Sequence, residues 1–232
     1  MRGYNHRKRE KTMELHSPIF RNMTPGELEQ MIRVARTREM AYQREDIIFH
    51  AGDVVCEIGI VQSGSVRIEN IDLWGNRSIL SNVPRGHVFA ETYAISHEPM
   101  MVDAVAAEEC RILFLDMDVL LDEQNVREPW YLKLLRNMVQ ISTQKNLVLS
   151  SRIFCTSAKT IRSRLFTYFS MLSVRSGSTT IQVPFNRQQM ADYLNLDRTA
   201  LSKELGKMRD EGLIDFHKNT FHLRALPGLP EE

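Results

Sequence analysis

The chain has 232 residues, of which 43% are hydrophobic and 25% charged, and its net charge is +1. That balance belongs to a folded globular protein with enough chain for two modest cores, and it excludes a wholly disordered or polyelectrolyte segment. The near-neutral total hides an asymmetry: from Thr156 onward there are 11 Lys/Arg against 8 Asp/Glu, whereas residues 1–155 carry 19 against 21. A positive C-terminal part suits a nucleic-acid surface.

No apolar run approaches the roughly 20 residues of a membrane span, so no membrane partner is expected. The opening Met-Arg-Gly-Tyr-Asn-His-Arg-Lys-Arg-Glu-Lys lacks the apolar core of a signal peptide, and residues 1–16 read as a basic, disordered tail. Cys56, Cys110 and Cys155 lie far apart and form neither a CxxC pair nor a disulfide framework. A reducing cytoplasm is the expected compartment.

Residues 17–36 read as one or two short helices. Ser17-Pro18 starts one; Thr24-Pro25-Gly26-Glu27 starts another, with Pro at its first position and Leu28, Met31, Ile32 and Ala35 as the apolar face. From residue 38 to 114 short β-rich runs (46–50, 58–62, 65–70, 78–82, 101–106 and 111–115) alternate with turns near Gly52, Gly64 and Gly86. Many short strands at close spacing predict a β-sandwich or β-roll, placed at residues 17–126. The stretch around Trp74 reads as a hairpin tip.

Pro129 opens a long helix, assigned to residues 127–155, in which Trp130, Leu134, Met138, Ile141 and Lys145 recur at a 3–4 spacing. The stripe Leu134, Met138 and Ile141 suits a helix pair between two copies of the chain. The lesser alternative is a helix packed on its own β-domain. A further helix follows over 156–176, with Ile161, Leu165, Phe166 and Phe169 inward and Arg162 and Arg164 outward. A Ser/Gly-rich loop at 173–179 comes next.

Residues 181–223 carry the most specific pattern. Asn186 caps a helix, with Gln189 three residues on completing a capping box. Met190, Ala191 and Leu194 face inward, and Asn195 suits the left-handed position of a sharp helix end. Asp197 caps the next helix, whose buried stripe is Leu201, Leu205 and Met208. Subtracting that stripe leaves Arg198, Thr199, Ser202 and Lys203 outward near the N-terminus, where side chains meet base edges or phosphates in the major groove. Gly212 ends the helix, and residues 213–216 and 221–223, joined by His217-Lys-Asn-Thr220, form a hairpin wing. Gln188 and Lys218 complete the expected DNA-contacting set in a domain spanning 156–224, with a short tail at 225–232.

A glycine-punctuated β-roll, a long helix and a winged helix-turn-helix in this order resemble the CRP/FNR family of bacterial transcription regulators. The resemblance spans about residues 17–224. It is carried by Gly52, Gly59-Ile-Val-Gln-Ser-Gly64-Ser-Val66, Pro84-Arg-Gly86-His-Val-Phe-Ala-Glu91 and Leu194-Asn-Leu-Asp-Arg-Thr-Ala-Leu-Ser-Lys-Glu-Leu205. It implies an α+β fold with an effector-binding β-roll, a dimerisation helix and a reader of palindromic double-stranded DNA, with RNA polymerase as a further partner. Arg198, Ser202 and Lys203 fall on the family's base-reading positions, with Lys where Arg is usual. Thr199 stands where many members carry Glu, so their half-site is not carried over.

The effector region departs from the cyclic-AMP-binding members. Ala90-Glu91 keeps their acid, but His97-Glu-Pro-Met-Met-Val-Asp stands where they carry the Arg-Ser that holds the cyclic phosphate. A buried phosphate without a cationic partner is costly, so cyclic AMP is disfavoured. Gly86, Val88, Glu91, Met100, Met101, Lys145 and Asn146 are the expected contacts for another, unidentified small molecule. The oxygen sensors' N-terminal cysteine cluster is missing, which removes the thiolate ligands of an iron–sulfur cluster held that way. Haem, on His87 with Cys56 or Met100, is disfavoured because a lone His at a turn is usually solvated. A regulator without an effector, its β-roll a scaffold, is the second reading. An enzyme is the third, and no Gly-rich phosphate loop, HExxH or nucleophile elbow supports it.

Overall fold

The structure, a computed structural model, describes residues 17–71 and 77–224. The expected hairpin tip around Trp74 and both tails lie outside the described residues. The chain divides into two compact units, Met1–Thr143 and Gln144–Glu232. The division falls inside the long helix rather than at its ends, so the helical segment expected at 127–155 is shared between the units.

In the first unit a short turn at Pro18–Phe20 leads to helix α1 (Pro25–Val34). Thr24 Oγ1 accepts from the Glu27 amide at 3.3 Å and Glu27 Oε2 accepts from the Thr24 amide at 2.6 Å, a reciprocal cap. The strands follow: β1 (Arg38–Tyr42), β2 (Ile47–Phe49), β3 (Glu57–Ser63), β4 (Ser65–Ile71), β5 (Arg77–Pro84) and β6 (Val88–Phe89). After helix α2 (Glu91–Ser96) come β7 (Asp103–Ala106), β8 (Cys110–Asp116) and the short helix α3 (Met117–Leu120). Two antiparallel four-stranded sheets result, in the orders β1-β8-β3-β6 and β2-β7-β4-β5. This is the β-roll that the sequence predicts.

Phe49, Val61, Val66, Phe89, Ile112 and Phe114 form one core cluster of the roll. The Phe49 ring lies 6.0 Å from that of Phe89 and 5.6 Å from that of Phe114. Gly59 pairs with Phe89 across the strands, and the ring occupies the space a side chain would need: a Cβ there would sit 2.2 Å from it.

Helix α4 (Tyr131–Ser157) begins in the first unit and ends in the second. Leu134 and Met138, expected at a seam between two copies, are 0% and 6% exposed. They are buried with Ile19, Met31, Ile58, Leu113, Leu115 and Trp130, and Ile141 packs against the same cluster. The stripe therefore belongs to the core of its own unit, because the β-roll and the N-terminal helix supply apolar surface that covers it. Asn137 fixes this packing by donating to the carbonyls of Ile19 and Arg21, each at 2.8 Å. The large apolar side chains that α4 leaves exposed are Leu132, Val139, Leu147, Val148, Leu149, Ile153 and Phe154. Among the described residues no helix is long and apolar enough to cross a membrane.

In the second unit α5 (Ile161–Ser176) starts at a Thr160–Ser163 capping box and stops at Gly177, whose φ is +65°. Strand β9 (Thr180–Gln182), helices α6 (Arg187–Leu194) and α7 (Arg198–Asp210), and strands β10 (Ile214–His217) and β11 (Thr220–Leu223) complete it. The strands form one antiparallel sheet in the order β10-β11-β9. Leu165, Tyr168, Phe169, Met190, Leu194, Leu201, Leu205, Met208 and Phe221 fill the core beneath.

Candidate nucleic-acid interface

Two helices joined by a tight turn present the interface, and local chemistry sets each end. Asn186 Oδ1 accepts from the Gln189 amide at 2.9 Å and Gln189 Oε1 accepts from the Asn186 amide at 3.0 Å, which starts α6. Asn195 closes it with φ +54°, and Asp197 Oδ1 accepts from the Ala200 amide at 2.8 Å to start α7. Leu201, Leu205 and Met208 are buried as their spacing predicts, which turns the other face outward.

On that outward face Arg198, Thr199, Ser202 and Lys203 are all exposed. Among the described residues Arg198 and Lys203 have no carboxylate partner, so both cations are free to meet an anion or a base edge. Gln188 is exposed, with its amide nitrogen held by Asp192 at 2.8 Å. Lys218 is exposed at the hairpin tip with φ +52°. Its carbonyl accepts from Arg187 at 2.9 Å, and the Arg187 guanidinium lies about 5 Å over the rings of Phe216 and Phe221. Arg187 thus stacks inward and braces the wing.

The turn between α6 and α7 is held by arginines whose role the sequence did not disclose. Arg164, read as simply outward, donates to the carbonyls of Ala158, Leu194 and Asn195 at 2.9, 3.0 and 2.9 Å. Arg152 donates to those of Tyr193 and Asp192, both at 3.2 Å. Together they satisfy carbonyls that a helix end leaves without partners, and place positive charge at the negative end of its dipole. Arg162 reaches Glu204 in the middle of α7 and Glu211, the residue that follows its last turn. A lone Arg at helical spacing carries no sign of which carbonyl it will find. Acidic residues at Glu204 and Glu211, seven apart, were the available hint.

In the first unit, Gly86 sits in a turn at φ +83° and Ala90 opens α2 at φ +64°. Val88 and Glu91 are buried. Met100 is 3% exposed among the roll's core side chains, whereas its neighbour Met101 is 78% exposed. The pair does not line a shared apolar wall, because one side chain is packed inward and the other faces solvent. No Lys or Arg occurs between Gly86 and Cys110. His87 is exposed, its Nδ1 3.2 Å from the Arg85 carbonyl oxygen. The Cys56 thiol gathers with Asp116 and Asp118, and burial, then those carboxylates and Glu57, push it above its ordinary value. Lys145 is half-buried and Asn146 exposed on α4 within the second unit, where Asn146 Oδ1 accepts from Ser150 at 3.0 Å.

Two family models match the chain in the order the fold presents them. The cyclic nucleotide-binding domain matches residues 39–124 and the Crp-like helix-turn-helix domain residues 163–231. The Cyclic AMP receptor protein of Thermus thermophilus is 23% identical over 222 residues, covering 93% of this chain and 96% of that one. Electron transport regulator A of Shewanella oneidensis is 24% identical over 200 residues, covering 83% and 77%. Among solved structures, CprK complexed with OCPA has a TM-score of 0.59 at 14% identity, covering 87% of this chain and 91% of that one. A CooA variant from Carboxydothermus hydrogenoformans has a TM-score of 0.51 at 20% identity, covering 83% and 86%. These likenesses extend the shared fold across both units. With a cyclic nucleotide-binding-type β-roll followed by a Crp-like helix-turn-helix, the chain is a DNA-binding transcription regulator of the CRP/FNR family.

Proposed function

We propose that the chain works as a cytoplasmic homodimer that reads a palindromic operator and recruits or hinders RNA polymerase there, with no catalytic activity of its own. The observation that carries the reading is the exposed face of α7. Arg198, Thr199, Ser202 and Lys203 follow one another on the first turns of a helix whose opposite face is wholly buried. In this arrangement Arg198 pairs with guanine, Lys203 and Lys218 with phosphates, and Thr199 and Ser202 with either.

The dimer seam in this reading is the exposed stripe of α4. Leu132, Val139, Asn146 and Ile153 recur at intervals of seven, and three of the four are apolar yet 64–71% exposed. A seven-residue apolar repeat is the signature of a helix pair, and one polar Asn at such a position fixes register at a cost in stability. Two heads so joined would read half-sites about one helical turn, roughly 34 Å, apart.

For the β-roll we propose a small-molecule effector other than cyclic AMP. The absence of any Lys or Arg from Gly86 to Cys110 leaves the cyclic phosphate without its usual charge partner in this stretch. The second reading, a β-roll kept only as scaffold, is favoured by Met100, which is packed into the core with Phe49 and Phe89. Native mass spectrometry of the freshly purified chain separates the two: a co-purified small molecule supports sensing, and its absence from chain purified under several growth conditions supports the scaffold. Selection of bound duplexes from random DNA tests the whole reading. A two-fold symmetric consensus supports it; no enrichment over input would refute it.

A further inference from the structure

We infer that Cys56, Asp116, Asp118 and His97 form a binding site for a divalent cation of the zinc class on the first unit. The donor atoms of Cys56, Asp116 and Asp118 all lie within 4.8 Å of one another. His97 extends the group, its Nε2 3.3 Å from Asp118 Oδ1.

The fold brings the Cys56, Asp116 and Asp118 donors together, with His97 beside Asp118 at their edge, from three distant stretches. Cys56 immediately precedes β3, and its carbonyl accepts from the Met117 amide at 2.9 Å. The next residue, Glu57, is in register with Asp116 at the end of β8. Asp116 spends Oδ1 on capping α3 through the Val119 amide at 3.2 Å. Asp118 sits in the first turn of α3, and His97 closes α2.

The donor set decides the ion. One thiol and one imidazole beside two carboxylates suit zinc and its first-row neighbours, whereas Mg²⁺ and Ca²⁺ take oxygen ligands almost alone. A tetrahedral zinc ion with bonds of about 2.0–2.3 Å holds its donors roughly 3.5 Å apart. Closing this group requires side-chain rotation, and Asp118 and His97, with side chains 57% and 52% exposed, have room for it.

Charge points the same way. Among the described residues no Lys or Arg pairs with Asp116 or Asp118, and neighbouring Glu57 is already held by Arg38 at 2.6 Å. A dication would supply the missing positive charge. It would also clasp the end of α2, whose first residue is the buried Glu91, to β8 and α3.

The test uses the full chain stripped with a chelator, titrated with Zn²⁺ by calorimetry and with Co²⁺ by absorption. One ion per chain and a near-ultraviolet thiolate-to-cobalt band are expected. Cys56→Ser should abolish that band and weaken Zn²⁺ binding at least about tenfold. Asp118→Asn, exposed and isosteric, should weaken Zn²⁺ binding similarly while the metal-free melting temperature stays unchanged. Absence of saturable binding would overturn the inference. So would binding unaltered in both variants, since the ion would then be held elsewhere.

Discussion

Arg162 on α5 donates to the carboxylate of Glu204 on the recognition helix at 2.6 Å, while its two terminal nitrogens hold Glu211 at 2.7 and 2.8 Å. One guanidinium thus holds α7 at its middle and just past its last residue, on the side away from Arg198 and Ser202. In the proposed reading the aim of Arg198 and Ser202 depends on the pitch at which α7 is held, and this fork would set that pitch without itself contacting DNA. It also holds the Glu211 carboxyl below its ordinary value. Arg162→Ala should speed hydrogen exchange along α7 and weaken operator binding. Arg162→Lys should recover only part of either, because an ammonium cannot hold two carboxylates in a fork.

The buried stripe and the exposed stripe of α4 make opposite predictions at adjacent residues. Met138 is 6% exposed and Val139 64% exposed. Met138→Glu should destabilise the first unit by on the order of 3–5 kcal/mol, since it buries a charge without a partner. Val139→Glu should leave the fold intact and yield monomers in sedimentation, because like charges would face each other across the proposed seam. Val139→Glu dimers as tight as wild type would move that seam off the Leu132–Val139–Asn146–Ile153 stripe.

Gly59 has no room for a side chain, because the Phe89 ring lies 2.2 Å from where its Cβ would be. Gly59→Ala should cost about 1–3 kcal/mol by displacing that ring. Chemical denaturation of the full chain reads this directly. Phe89→Leu in the same chain should relieve part of the loss.

Glu27 ties α1 to α4 through Lys133, with both carboxylate oxygens 2.6–2.7 Å from the ammonium. That bond first, then the amide of Thr24, holds the Glu27 carboxyl down at about 2 from 4.5. A carboxylate with a lowered folded pKa adds stability above its unfolded value and loses it as pH falls through the folded one. The margin of wild type over Glu27→Gln should therefore be constant above about pH 5 and shrink between about pH 4.5 and 2. Paired thermal melts across that range give the margin.

The second unit was nearly complete in the sequence because its signals are local. Asn186, Asn195, Asp197 and Gly212 each fix a helix end within a few residues of themselves, and the buried stripe of α7 follows from spacing alone. The first unit was less legible. Strand β1 is an edge strand with four of its five residues exposed, and β6 has two residues, so neither shows an apolar alternation. The stripe Leu134–Met138–Ile141 was visible, but periodicity reports only that a face is covered, not by what. Its cover is Ile19, Met31 and Trp130 from the same chain. The braces on the reading head, Arg152, Arg162 and Arg164, bond across 30 to 49 residues of sequence, as does the Cys56–Asp116 convergence across 60. Such pairings exist only once the fold has been made.

The central claim is that the N-terminal turns of α7 read base sequence, and Arg198→Ala on matched DNAs tests it most directly. Affinity is measured for wild type and variant, at one fixed salt concentration, on a duplex selected by the wild type and on a scrambled duplex of the same composition. A bidentate pair with guanine is worth about 1–3 kcal/mol, so the variant should lose roughly 5- to 150-fold on the selected duplex and far less on the scrambled one. An equal loss on both duplexes would make Arg198 a phosphate contact and contradict the account.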